Sequence, residues 1–96
     1  MDVRIDHLRM RSGEVGGLIP PRLRRRLVFR AKGLGAMMAK PRKRPDVVVR
    51  KGGDAFSVWR LGDEVVVLWE GGDGLPLLLC FRDADIGEVE EWIKSM

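Results

Sequence analysis

Hydrophobic positions change their spacing near the middle of the chain. From Pro20 to Leu34 they recur three or four residues apart, at Leu23, Leu27, Ala31 and Leu34, a spacing that stacks side chains on one face of a helix. Pro20-Pro21 suits the start of such a helix, because proline's φ is already helical and its missing N–H would have no partner there. The spacing predicts a helix from Pro20-Pro21 to about Lys32, ended or broken by Gly33 and Gly35, with a second helical piece possible over Ala36 to Lys40. Upstream, Val3 and Ile5 alternate with Arg4 and Asp6 as in a short strand, and the Gly-rich Ser12 to Leu18 reads as a loop.

After Pro45 the pattern is that of strands. Val47-Val48-Val49 is followed by Gly52-Gly53-Asp54, then Ala55 to Leu61, Gly62-Asp63 and Glu64 to Glu70. A Gly-first two-residue connection matches a type II′ hairpin and sets the register: Leu61 opposite Glu64, Arg60 opposite Val65, Val58 opposite Val67, Phe56 opposite Trp69. Phe56, Val58, Val65, Val67 and Trp69 then share an apolar face. The other face mixes Trp59, Leu61, Val66 and Leu68 with Ser57, Glu64 and Glu70. Gly71-Gly72-Asp73-Gly74 reads as a turn, and the near-continuous apolarity of Leu75 to Arg82 predicts a central strand buried on both sides. Asp85 with Glu88 three residues on resembles a capping box, opening a short acidic helix on which Ile86, Val89, Ile93 and Met96 can share a face. The sum is an α+β fold in one domain over residues 1–96: an antiparallel sheet of four to five strands, a basic N-terminal helix packed on it and a short C-terminal helix.

Charge adds a polarity that the strand pattern lacks. Residues 1–51 hold fifteen of the eighteen Lys and Arg, and residues 52–96 hold ten of the fourteen Asp and Glu, so a net charge of only +4 hides a strongly basic first half. Arg22, Arg25, Arg26, Arg30 and Lys32 occupy the polar arc of the expected helix. Lys40, Arg42, Lys43 and Arg44 form a run bracketed by Pro41 and Pro45, hence a loop, and Arg50-Lys51 follow. These eleven residues are the candidate contacts to phosphates, gathered on one cationic face with Phe29 inside it as a stacking surface. The plain alternative is a solvated face paired with the chain's own Glu88, Glu90 and Glu91.

The catalytic menu is short. The chain has no Asn, Gln, Thr or Tyr, one Cys and one His. Cys80, inside an apolar strand, reads as a buried inert thiol, and a single cysteine gives neither a disulfide nor a multi-Cys zinc site. His7 alone titrates near neutrality but has no partner in the sequence. Arg60 and Arg82 interrupt or end apolar strands and are either snorkelling or aimed at a phosphate. Trp59 reads first as a core or interface residue and second as a stacking platform. The acidic residues sit at turns and caps, so no metal site, carboxylate dyad or cofactor is signalled. No apolar run is long enough to cross a bilayer and the first residues lack a signal-peptide core, which predicts a cytoplasmic protein. The missing amides and abundant Arg and Glu fit a thermophilic source, and a G+C-rich genome would leave the same mark.

The stretch Ile19-Pro20-Pro21-Arg22-Leu23-Arg24-Arg25-Arg26-Leu27-Val28-Phe29-Arg30 resembles the proline-led basic second helix of the RelE/ParE toxin superfamily. Trp59-Arg60-Leu61-Gly62-Asp63, followed by Val65 to Trp69, resembles its R-x-G-D hairpin, and Phe81-Arg82 the end of its last strand. The resemblance implies binding to RNA or the ribosome, Arg60 and Arg82 facing substrate, a ribonuclease as the enzyme class, and an acidic antitoxin-like partner. This chain departs from the pattern where the family has an arginine after the Gly-Asp turn, here Val65 beside Glu64, and in lacking the C-terminal tyrosine. Those departures predict binding of RNA or another polyanion without efficient ribonuclease activity. Two alternatives stand beside it: an interaction module, homodimeric or antitoxin-bound, using charge-complementary halves, and, from Val58-Trp59-Arg60-Leu61-Gly62 and the strands after it, an SH3-like-barrel DNA-binding protein.

Overall fold

The structure is a computed structural model, and it describes residues 19–33, 40–71 and 76–96. Among the described residues two helices and five strands follow one another as α1 (Pro21–Arg24), β1 (Leu27–Lys32), β2 (Val47–Lys51), β3 (Asp54–Leu61), β4 (Glu64–Gly71), β5 (Leu77–Arg82) and α2 (Ile86–Ser95). The strands form one antiparallel sheet in the order β1-β5-β4-β3-β2. Among the described residues the sheet is open, with β1 and β2 as its edges, rather than closed into a barrel. The fold class is α+β.

The hairpin of β3 and β4 has the register read from its turn, including Leu61 opposite Glu64 and Phe56 opposite Trp69. Gly62 sits at φ 64 while Asp63 stays at negative φ, the φ pattern of a II′ turn. Gly52, at φ 59, turns β2 into β3 in the same way, with Lys51 opposite Asp54. β5 lies between β1 and β4 and is buried from Leu77 to Phe81, as its unbroken apolarity predicts.

The helix expected to reach Lys32 stops after one turn. Pro20 O accepts from the N–H groups of Leu23 and Arg24, and Leu23 O accepts from Arg26 N, which closes the turn. The chain then extends, because Leu27-Val28-Phe29 is a β-forming run and β5 offers it a partner strand fifty residues away. Leu27, given to the helix's apolar stripe, packs instead against the core from β1. The expected strand at Val3 to Ile5, the Ser12 to Leu18 loop, the turn over Gly72 to Gly74 and the helical piece from Ala36 fall outside the described residues, and Lys40 itself is not helical.

Each sheet face has its own apolar cluster. The first face carries Phe56, Val58, Val65, Val67, Trp69, Leu77, Leu79 and Phe81, covered by Leu23 from α1 and Ile19 just before it, and by Val89, Trp92 and Ile93 from α2. Asp85 caps α2, its side chain accepting from Gly87 N at 3.4 Å, while Glu88 turns away to pair with Arg22 instead of closing a capping box. Trp92, absent from the expected helix stripe, is part of the buried face, and Met96 is exposed. The second face carries Trp59, Val66, Leu68, Leu78 and Cys80, with Ala31 packed against them. Among the described residues, no helix is long and apolar enough to cross a membrane.

Candidate nucleic-acid interface

Among the described residues, β1 and β2 run parallel at opposite edges of the sheet. The described part of the chain between them, Lys40–Asp46, lies on the second face and is fastened to β3 at four points. Trp59 Nε1 donates to Lys43 O at 2.7 Å, Lys43 Nζ donates to Arg60 O at 3.4 Å, Asp46 Oδ2 accepts from Arg60 N at 2.7 Å, and Asp46 N donates to Val58 O at 2.8 Å. Trp59 is 2% exposed. It is a buried anchor rather than a platform, and its cover is this loop.

Pro41 and Pro45 keep the loop out of helix and strand, and their spacing leaves Lys40, Arg42, Lys43 and Arg44 exposed. Among the described residues no carboxylate pairs with any of the four. Beneath them a cleft of about 590 Å³ runs between the loop and Ser57, Trp59, Leu68 and Glu70. Arg50 stands on the same face by register, opposite Ala55. A second groove of about 360 Å³ begins at Pro41, which both hollows share, and is walled by Val28, Phe29, Leu61, Glu64, Val66, Leu78 and Cys80.

The remaining candidate cations sit elsewhere. Arg22 Nε pairs with Glu88 Oε2 at 2.9 Å, and Arg26 Nη1 donates to Asp83 O at 2.8 Å. With Arg25 they line a shallow depression beside α1. Lys51 Nζ donates to Lys94 O at 2.8 Å and to Met96 O, fixing the carboxyl end of α2 to β2 where a cation meets unpaired carbonyls favourably. Arg30 and Lys32, opposite Leu79 and Leu77, hold register positions of the first face on the edge strand β1. The single cationic face expected from a long helix is therefore split: the loop and Arg50 on the second face, the α1 arginines and Lys51 with the helix layer. The cause is the early end of α1, which breaks the 3.6-residue period the arc was built on.

Arg60 and Arg82 are not brought together. Arg60 aligns with Val65 and Phe81 on the first face, and Arg82 aligns with Glu64 on the second, its Nη2 3.7 Å from Glu64 Oε2. Cys80 donates its S–H to Glu64 Oε1 at 3.3 Å. Burial, and then that carboxylate, push the thiol up to about 11, so it is protonated and unreactive at neutral pH. His7 lies outside the described residues. Among them, no group of three or more His, Cys, Asp and Glu is placed to hold a metal ion.

The groove between Phe29 and Leu61 escaped sequence reasoning because a break in register forms it. β1 pairs Leu27 with Phe81 but Phe29 with Cys80, so Val28 is an extra residue, a β-bulge. Alternation along Leu27-Val28-Phe29 carries no mark of that insertion. No family model matches the chain, and no curated protein or solved structure is similar to it.

Proposed function

We propose that this chain binds a polyanion, RNA, on the second face of its sheet, with Lys40, Arg42, Arg44 and Arg50 contacting the phosphates and Lys43, whose Nζ donates to Arg60 O, adding to the field. The observation that supports this reading is the fastened loop. Four hydrogen bonds to β3 hold a run of cations with which, among the described residues, no carboxylate forms an ion pair, Glu70 standing on the far wall of the cleft. Freely moving lysines and arginines lose rotamer and backbone entropy when they meet a phosphate; here the backbone part of that loss is already met in folding. Arg22 and Lys51, by contrast, are engaged within the fold and add to the field without being free contacts.

The RelE/ParE resemblance contributes the choice of RNA as ligand. It contributes no cleavage step, because its two substrate-facing arginines lie on opposite faces and one of them is drawn to Glu64. An antitoxin-like partner or a second copy held by charge-complementary halves is disfavoured for the same kind of reason: basic and acidic halves already meet inside the chain at Arg22 and Glu88.

A salt titration tests the reading. Four phosphate contacts on a single strand give a log–log slope of about −3. Replacing Arg42 and Arg44 with Ala should remove about half of that slope, whereas Arg25→Ala should leave it within error. A flat slope, or no binding at low salt, overturns it.

A further inference from the structure

The bulge at Val28 decides where Phe29 points. Without it, uninterrupted alternation from Leu27 opposite Phe81 would put residue 29 opposite Leu79, on the face covered by the helices. The extra residue instead sets Phe29 opposite Cys80 on the second face, with Val28 beside it, and leaves the two 44% and 46% exposed. Leu61, 36% exposed, forms the opposite wall of the groove across Val66 and Leu78. Bulges that re-aim side chains gather at functional sites, and this one turns a large aromatic away from the helix-covered face.

Two further observations say what the groove suits. Pro41 lines both this groove and the cleft beneath Lys40, Arg42 and Arg44, so an occupant's apolar part and its negative charges can be met on neighbouring stretches of one face. Its floor also carries one polar group able to accept hydrogen bonds, the Glu64 carboxylate, oriented by Cys80 on one oxygen and Arg82 on the other. An apolar slot ending in a carboxylate and opening onto a row of cations matches a nucleotide unit: a flat base with amino hydrogens, joined to phosphates. Carboxylates accept from base amino groups, as in the pairing of Glu with cytosine.

We propose that the groove between Phe29 and Leu61 holds one unpaired base of a single strand, stacked on Phe29 and recognised through its amino edge by Glu64. This rests on the polyanion reading above and adds the base to it. Duplexes are excluded as ligands of this groove, since their bases are already stacked and paired, and uracil, which offers the carboxylate no amino group, is disfavoured.

The test measures binding of the full chain to labelled 12-mers of cytidylate and uridylate and, as competitor, inorganic polyphosphate, which has charge but no bases. Phe29→Ala should weaken oligocytidylate binding roughly 5- to 150-fold, the range for loss of one base–aromatic stack, with polyphosphate competition unchanged and Phe29→Trp restoring the affinity. Glu64→Gln should abolish the preference for cytidylate over uridylate. Equal weakening of oligonucleotide and polyphosphate by Phe29→Ala, or none in either, overturns the base site. So does a concentration-dependent dimer that Phe29→Ala dissolves, since a second copy would then be the occupant. Failure of the wild type to bind polyphosphate or RNA at all would instead sink the polyanion reading.

Discussion

Two phenylalanines show how far one residue's role depends on its register. Phe81 is fully buried between the sheet and α2, its ring 6.0 Å from that of Trp92, and Phe29, on the neighbouring strand, is nearly half exposed. Phe81→Ala should cost about 3–5 kcal/mol of stability and Phe29→Ala less than about 1 kcal/mol, read as the difference in urea midpoint. Cys80 makes a second contrast. Its folded thiol titrates near 11 against an ordinary value of 9.0, so the fold favours the protonated form. That contribution is complete below pH 9 and is lost as pH rises toward about 11. Cys80→Ala should flatten the decline of melting temperature over that window, and alkylation of the wild-type thiol at pH 8 should proceed only as fast as the protein opens.

Among elements, hairpins were the most legible from sequence and β1 the least. Gly62-Asp63 determines its own hairpin's register locally, because only a residue free to adopt φ 64 can begin that turn. Gly62→Ala meets no atom within 4 Å, so its penalty is purely backbone strain, about 1 kcal/mol or more, visible as a lower melting temperature with unchanged β4 packing. The α1–β1 segment departs from its helical pattern for a physical reason. Leu23, Leu27 and Ala31 satisfy a helical period, but what selects strand is β5, remote in sequence, together with the β-forming Val28 and Phe29. The candidate site divides likewise. The Pro-bracketed cations could be read directly, whereas their attachment to Trp59 and the groove beside them depend on a chain crossing and a bulge that leave no periodic trace. Trp59→Phe keeps an aromatic ring, smaller than the indole, and removes the donor to Lys43 O. Amide exchange over Lys40–Asp46 should quicken in that variant, and affinity for RNA should fall while β3–β4 protection holds.

At the scale of the whole molecule, the strand order sets the order in which stability is gained. The adjacent hairpins β2–β3 and β3–β4 close over short turns, whereas β1, whose sheet neighbour is β5, can dock only once the last strand is in place. Native-state exchange should therefore find β4 opening only with the entire fold and β1 opening earlier. Among the described residues both edge strands carry features that discourage stray pairing, β1 its bulge and Arg30, β2 its Arg50 with Pro45 just ahead of it.

The loop that crosses from one edge to the other has an unexpected corollary. Its Arg42-Lys43-Arg44 run is exposed, and the described segments that flank it are held independently: β1 by β5, and Asp46 by β3. A trypsin nick there would leave both ends attached to the sheet. The chain should survive as a two-piece protein, and the halves, expressed apart, should find each other through the β1–β5 seam.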